Sequence, residues 1–273
     1  MSNTSSPPSG DYPIDSTRAA ELTRLAAQDK AWAPQMAGLL DRVGVASGWR
    51  CLDLGYGPRG ATHDLAARVG DSGHVVGLEY NPDFVAEACA SAPKNVEIIE
   101  GDAYSTGLPD GGFDFVHMRF LASTSGQPDR LVAEAVRLVK PGGWFAMQEA
   151  DGSTLACYPP HPAWTRLREG LISLFPEAQG DDPAAHRHFR MLRTEGLDCV
   201  GYHPALVGVK AGDPWRDFLP ATANSARNAL IASGAMTEEA LDRDIAECRA
   251  HLADADTVFV SPMLVQVWGL KPG

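Results

Sequence analysis

A chain of 273 residues, 44% of them apolar, can bury a full hydrophobic core as one elaborated domain or as a domain with a cap. Its formal charge of −12 repels phosphate backbones, and no dense Lys/Arg cluster offsets it, so a small molecule is expected as partner rather than nucleic acid. No apolar run approaches the roughly 20 residues that span a bilayer. Residues 1–10 are Ser/Pro-rich rather than charged-then-apolar, so a cytoplasmic protein with no membrane partner is expected. Five scattered cysteines without a C-x-x-C favour neither a disulfide framework nor a zinc site, and no metal is expected.

In chain order, residues 1–15 read as a disordered tail and residues 16–49 as N-terminal helices. The first helix carries Ala19, Leu22, Leu25 and Ala26 at helical spacing. A second opens at Pro34 with Met36, Leu39, Leu40 and Val43 inward. From there strands and helices alternate: strand 50–54, helix 60–69, strand 74–78, a helix opened by Asn81-Pro82, strands 96–99 and 113–116, helix 128–139 and strand 144–148. Such alternation predicts right-handed crossovers and a parallel sheet covered on both faces. Further on, residues 186–197 read as a helix, 199–209 as a strand and 258–270 as a long final strand. The two late strands are expected to pair antiparallel at the sheet. Residues 50–151 would be the cofactor-binding core. Residues 152–273 would complete the sheet and carry capping helical insertions at about 152–185 and 211–256.

The stretch Asp53-Leu54-Gly55-Tyr56-Gly57-Pro58-Arg59-Gly60 follows the first strand, where an open parallel sheet binds its ligand. Gly55, Gly57 and Gly60 fit the dinucleotide fingerprint G-x-G-x-x-G, while Asp-x-Gly-x-Gly also fits an S-adenosylmethionine site. Glu79 ends the second strand, where a carboxylate accepts hydrogen bonds from ribose hydroxyls in either case.

The later motifs separate the two. Gly101-Asp102-Ala103 follows the third strand, Gly112-Phe113-Asp114 enters the fourth, and Lys140-Pro141-Gly142-Gly143-Trp144 enters the fifth. With the glycine loop, this ordered set over residues 40–150 resembles the class I S-adenosylmethionine-dependent methyltransferases, especially the small-molecule, natural-product and quinone-biosynthesis-like groups. It extends weakly to the terminal Trp268-Gly269-Leu270-Lys271-Pro272.

The resemblance implies an α/β fold with a Rossmann-like, seven-stranded, mostly parallel sheet, helices on both faces, N-terminal helices and a helical lid before the last strand. It implies S-adenosyl-L-methionine as cofactor, with Asp53, Gly55, Tyr56 and Gly57 at its methionine and ribose, and Glu79 on the ribose hydroxyls. Tyr80 would pack on the adenine, Asp102 and Ala103 would read its edge, and Met118 would lie beside the sulfonium. His117 is the first candidate for a base and Arg119 for steadying the acceptor, with Glu149 and Asp151 ending the fifth strand as secondary candidates. Tyr56 and Arg59 depart from the family pattern by placing bulk and charge where small residues are usual. That departure keeps open a second reading, in which the cofactor's charge promotes a cyclisation or rearrangement; a nicotinamide-dependent oxidoreductase ranks third. Trp164, Leu167, Leu171, Leu174 and Phe175 would line a cap core or an apolar acceptor pocket. His186 and His188 sit two apart on a helix and so face different ways. A homo-oligomer is compatible with the N-terminal helices.

Overall fold

In the computed structural model of the chain, which describes residues 18–57, 60–124, 126–175 and 184–273, the first strand shows why the sheet is buried on both sides. In β1 (Arg50–Leu54), Leu52 and Leu54 point to one face while Cys51 and Asp53 point to the other, and all four are buried. The period of two feeds two separate cores. One core joins Leu52 and Leu54 to α4 (Pro128–Leu138) and α6 (Ala184–Thr194) through Leu131, Val132, Met191 and Leu192. The other joins Cys51 to α1 (Arg18–Val43) and α2 (Thr62–Val69) through Met36, Leu39, Leu65 and Val69.

The remaining strands are β2 (His74–Glu79), β3 (Val96–Glu100), β4 (Phe113–Arg119), β5 (Val139–Asp151), β7 (Asp198–Ala205) and β10 (Met263–Leu270), with α3 (Pro82–Ser91) between β2 and β3. The seven-stranded sheet has the order β3-β2-β1-β4-β5-β10-β7. The first five strands run parallel, and β10 is antiparallel to both β5 and β7. Strand order reverses between β1 and β4, so the ligand edge lies beyond Leu54 and Arg119. This is the α/β architecture that the motif order predicts.

Four expectations are corrected. The N-terminal segment is one helix rather than two, with Pro34 inside it. Pro34 is exposed, so the carbonyl its missing N–H leaves free faces water, and the helix continues. Strand β5 is longer than residues 144–148, because Lys140-Pro141-Gly142-Gly143 enters it through a register shift against β4 rather than standing as a separate turn. The expected strand 199–209 is β7 followed by a separate β8 (Gly208–Lys210). The expected strand 258–270 breaks at Ser261-Pro262 into β9 (Val258–Val260) and β10.

Those short pieces and β6 (Ala156–Tyr158) form a second, three-stranded sheet of order β6-β9-β8. Around it, α5 (Pro162–Ser173), α7 (Phe218–Ser225), α8 (Arg227–Ala232) and α9 (Glu238–Leu252) build a third core. Trp164, Leu167 and Leu171 lie in that core, together with Trp32 of α1, Trp215 and Phe259. The residue 1–15 tail lies outside the described residues. Among the described residues, no helix is long and apolar enough to cross a membrane.

The terminal Lys271 closes the fold. Its ammonium donates to the carbonyls of Val136 and Val139, both at 2.8 Å, and to that of Arg137 at 3.4 Å, covering the carbonyl end of α4. Replacing Lys271 with Met is expected to lower the unfolding free energy by about 1.5–3 kcal/mol, the worth of a charged hydrogen-bonding group, as measured by denaturant unfolding.

Candidate functional site

At the switch between β1 and β4, Asp53 is 1% exposed and both its oxygens are engaged. Oδ2 accepts from the amide of Ala61 at 2.7 Å, at the start of α2, and Oδ1 lies 2.7 Å from Nδ1 of His117. His117 Nε2 is 3.2 Å from Oε1 of Gln148 on β5. A buried polar line therefore crosses β1, β4 and β5 on the face that α1 covers. With Asp53 accepting, the proton of the imidazole is held on Nδ1.

The glycine loop wraps round this carboxylate. A Cβ on Gly60 would stand 2.5 Å from Asp53 Oδ2 and 2.6 Å from the Tyr56 carbonyl oxygen, and its φ is +49°, so the close approach and the backbone sign both demand glycine. At Gly55, with φ of +62°, a Cβ would come within 2.9 Å of the Leu121 methyl groups. Gly57 donates its N–H to Glu79 Oε2 at 2.9 Å, and Glu79 Oε1 accepts from the amides of Tyr80 and Asn81, each at 2.9 Å. Asn81 in turn caps α3 by accepting from the Asp83 amide. Glu79 thus ties the ends of β1 and β2 at the ligand edge, and beside it Tyr80 leaves 65% of its surface exposed.

Asp102 follows β3, and its Oδ1 accepts from the Tyr104 amide at 2.8 Å, while Ala103 rests partly buried on the α4-side core. The structure therefore brings Gly55, Gly57, Glu79, Tyr80, Asp102 and Ala103 to one edge of the sheet, at the carboxyl ends of β1, β2 and β3.

Other expected site residues point elsewhere. Met118 pairs with Leu54 and shares its face, so it is fully buried in the α4-side core rather than open to the ligand edge. His117 has no exposed surface, which removes it from direct contact with an acceptor in this conformation. Tyr56 is 4% exposed and packs against β2; a Cβ on Gly77 would lie 2.9 Å from its ring, so the bulk at position 56 is accommodated by the absence of a side chain at position 77. Its hydroxyl is buried with no hydrogen-bond partner among the described residues, and burial pushes the phenol up from its ordinary range. Arg59 lies outside the described residues.

Arg119 ion-pairs with Asp29 of α1, a partner that no motif announces, and its guanidinium stacks 5.7 Å from the Phe120 ring. Burial pushes the Asp29 carboxyl up, against the pull of Arg119. Glu149 is fully buried and accepts from the amides of Ala122 at 2.8 Å and Ser123 at 3.3 Å. Asp151 accepts from the Ser153 amide and caps a single helical turn. His188 on α6 is 1% exposed, and neither ring nitrogen has a hydrogen-bond partner among the described residues. Gln148, Leu121 and Asp29 are the contacts sequence reasoning missed; their only signal is register, which needs the sheet order.

Two buried groups set opposing pH dependences. Burial raises the Glu149 carboxyl from 4.5 to about 7, so the folded state holds that proton more tightly than the unfolded chain does. Its contribution to stability is full below about pH 4.5 and is lost as pH rises through about 7. Burial lowers the His188 imidazole from 6.5 to about 4, so its contribution is full above about pH 6.5 and is lost as pH falls through about 4. In the overlap they offset one another. Glu149→Gln should remove the opposing glutamate slope, so that stability rises more steeply from pH 4.5 to 6.5 than in the parent; urea unfolding across that range measures it. Separately, Asp53→Ala strands the Ala61 amide and His117 in the core and is expected to cost about 1–3 kcal/mol for each group left without its acceptor in the same assay.

Residues 52–147 match the family described as a methyltransferase domain. A 37.1 kDa protein encoded in transposon TN4556 of Streptomyces fradiae is 29% identical over 73% of this chain and 66% of its own length. A demethylmenaquinone methyltransferase of Lactococcus lactis is 34% identical over 45% of this chain and 50% of its own length. The chain thus spans half to two thirds of the length of these curated relatives. Among solved structures, a putative methyltransferase from an antibiotic biosynthesis pathway of Anabaena variabilis shares the fold with a TM-score of 0.65 at 15% identity, over 87% of this chain and 96% of that one.

Proposed function

We propose that the chain, whose residues 52–147 match the methyltransferase domain family, is an S-adenosylmethionine-dependent methyltransferase acting on a small, partly apolar metabolite. The observation that carries the reading is the Gly57 to Glu79 hydrogen bond beside the exposed ring of Tyr80. A carboxylate held by three backbone amides at the end of β2, next to an exposed aromatic face, fits a ribose with an adenine beyond it.

In this reading Glu79 holds the ribose hydroxyls, Tyr80 stacks on the adenine, and Asp102 with Ala103 reads its edge. Gly55 and Gly57 let the main chain lie along the methionine part. The cofactor, when bound, supplies an electrophilic methyl group on a sulfonium. The protein's own task is alignment: holding acceptor and methyl about 3 Å apart and in line supplies roughly 7–11 kcal/mol of the barrier without any covalent intermediate. Asp53 and His117 act as supports beneath the glycine loop, and Arg119, neutralised by Asp29, joins α1 to the end of β4 without adding net charge beside the sulfonium.

A partly apolar acceptor is supported by the cap. Phe120, just after β4, packs on the core that holds Trp32, Trp164, Trp215 and Phe259, so the cap side of this segment is apolar and aromatic. A net charge of −12 favours a small neutral or cationic metabolite over an anionic polymer. The similarity to a demethylmenaquinone methyltransferase supports a small, quinone-like ring as acceptor.

Calorimetric titration with S-adenosylmethionine and with NAD tests the reading. Saturable binding of S-adenosylmethionine is expected, and binding of NAD alone would overturn it. Glu79→Ala should weaken the cofactor about 10- to 150-fold, the loss of a charged hydrogen-bonding group, with a smaller effect from Asp102→Ala.

A further inference from the structure

We propose that Glu149 is a positioning residue for the cofactor loop, acting through residues 120–124 to press Leu121 against Gly55. The proposal rests on the reading that the Gly55–Gly57 loop holds S-adenosylmethionine. Glu149 itself touches neither cofactor nor acceptor.

The segment after β4 is an unusual backbone held by many bonds. Phe120 has φ of +56°, a conformation that non-glycine residues adopt at a cost. Its amide donates to the Gln148 carbonyl at 2.9 Å, and the Thr124 hydroxyl lies 3.0 and 3.1 Å from the carbonyls of Phe120 and Leu121. The next two amides, of Ala122 and Ser123, point at the two separate oxygens of Glu149. Only an ionised carboxylate offers two full acceptors at that spacing. A glutamine offers one, and turns an N–H₂ donor toward the other N–H.

What the segment carries explains why its position matters. Leu121 fills the space a Cβ on Gly55 would need. Phe120 packs into the cap core, and Arg119, immediately before it, pairs with Asp29 of α1. One buried carboxylate therefore sets the relative placement of the glycine loop, the cap and the N-terminal helix. Desolvation outweighs the amides that hold it and pushes its carboxyl up, so burying it in ionised form is unfavourable for stability.

Val265 of β10 is the cross-strand neighbour of Glu149, and Asp151 lies two residues along β5 on the same face. His188 and Arg187 of α6 interact with one another, and His188 with Asp151. Ser123 of the segment faces the carboxyl directly, and Arg119 with Asp29 occupies the opposite sheet face.

The test is calorimetry of the 273-residue chain with S-adenosylmethionine and S-adenosylhomocysteine at pH 6 and pH 8, with thermal unfolding in parallel. Glu149→Gln is expected to bind both about 10-fold more weakly at pH 8 while its melting temperature stays level or rises, a split that a merely structural residue would not produce. The parent should bind more tightly at pH 8 than at pH 6, and Glu149→Gln should lose most of that difference. Leu121→Ala should weaken binding by a similar factor, and the double variant should add little to either single one. A parent that binds S-adenosylmethionine and a Glu149→Gln variant that matches it within twofold at both pH values would overturn the proposal. A parent that binds no S-adenosylmethionine would overturn the cofactor reading, and this proposal with it.

Discussion

The site depends on one buried anion. Asp53 is placed by β1 in the interior, where an isolated carboxylate costs several kcal/mol, and the fold surrounds it with the first amide of α2 and the ring of His117. Satisfying that charge dictates where α2 begins, how closely Gly60 must approach, and which way the imidazole of β4 faces. The glycine loop is therefore shaped from below, by a polar group in the core, before any ligand meets it from above.

From this anchor the ligand edge extends in two directions. Toward β2 and β3 it is built from backbone amides gathered by carboxylates, Glu79 collecting three and Asp102 one. Toward β4 and β5 the same device recurs in Glu149, which gathers two amides of the segment that leads into the cap. Acidic side chains that a sequence presents as candidate acids and bases thus serve largely to order main chain. Among the described residues, Arg119 at the end of β4 is matched by Asp29 of α1.

The core of the fold could be read directly from the residues because its signals are local. Alternating apolar residues in β1, the Asn81-Pro82 helix start and the ordered glycine and acidic turns each act within a few positions. The errors have a common origin in solvent and register. Pro34 breaks a helix only where its freed carbonyl is buried, and exposure at that position is a tertiary fact. Ser261-Pro262 interrupts what reads as one long strand, and only the cap's second sheet gives Val258–Val260 a partner. At the site, position along a strand suggested that His117 and Met118 both face the ligand. The period of two sends them to opposite faces, and cross-strand pairing with Asp53 and Leu54 buries each. Tyr56, an oddity against the family pattern, becomes ordinary once Gly77 is seen beneath it.

A structure of the chain with S-adenosylhomocysteine bound tests the central claim most directly. The account predicts the ribose hydroxyls on Glu79, the adenine against Tyr80 and beside Asp102, and the Asp53–His117 pair unchanged beneath the loop. A ligand seated elsewhere, or a glycine loop that opens only when the Asp53–His117 pair breaks, would contradict it.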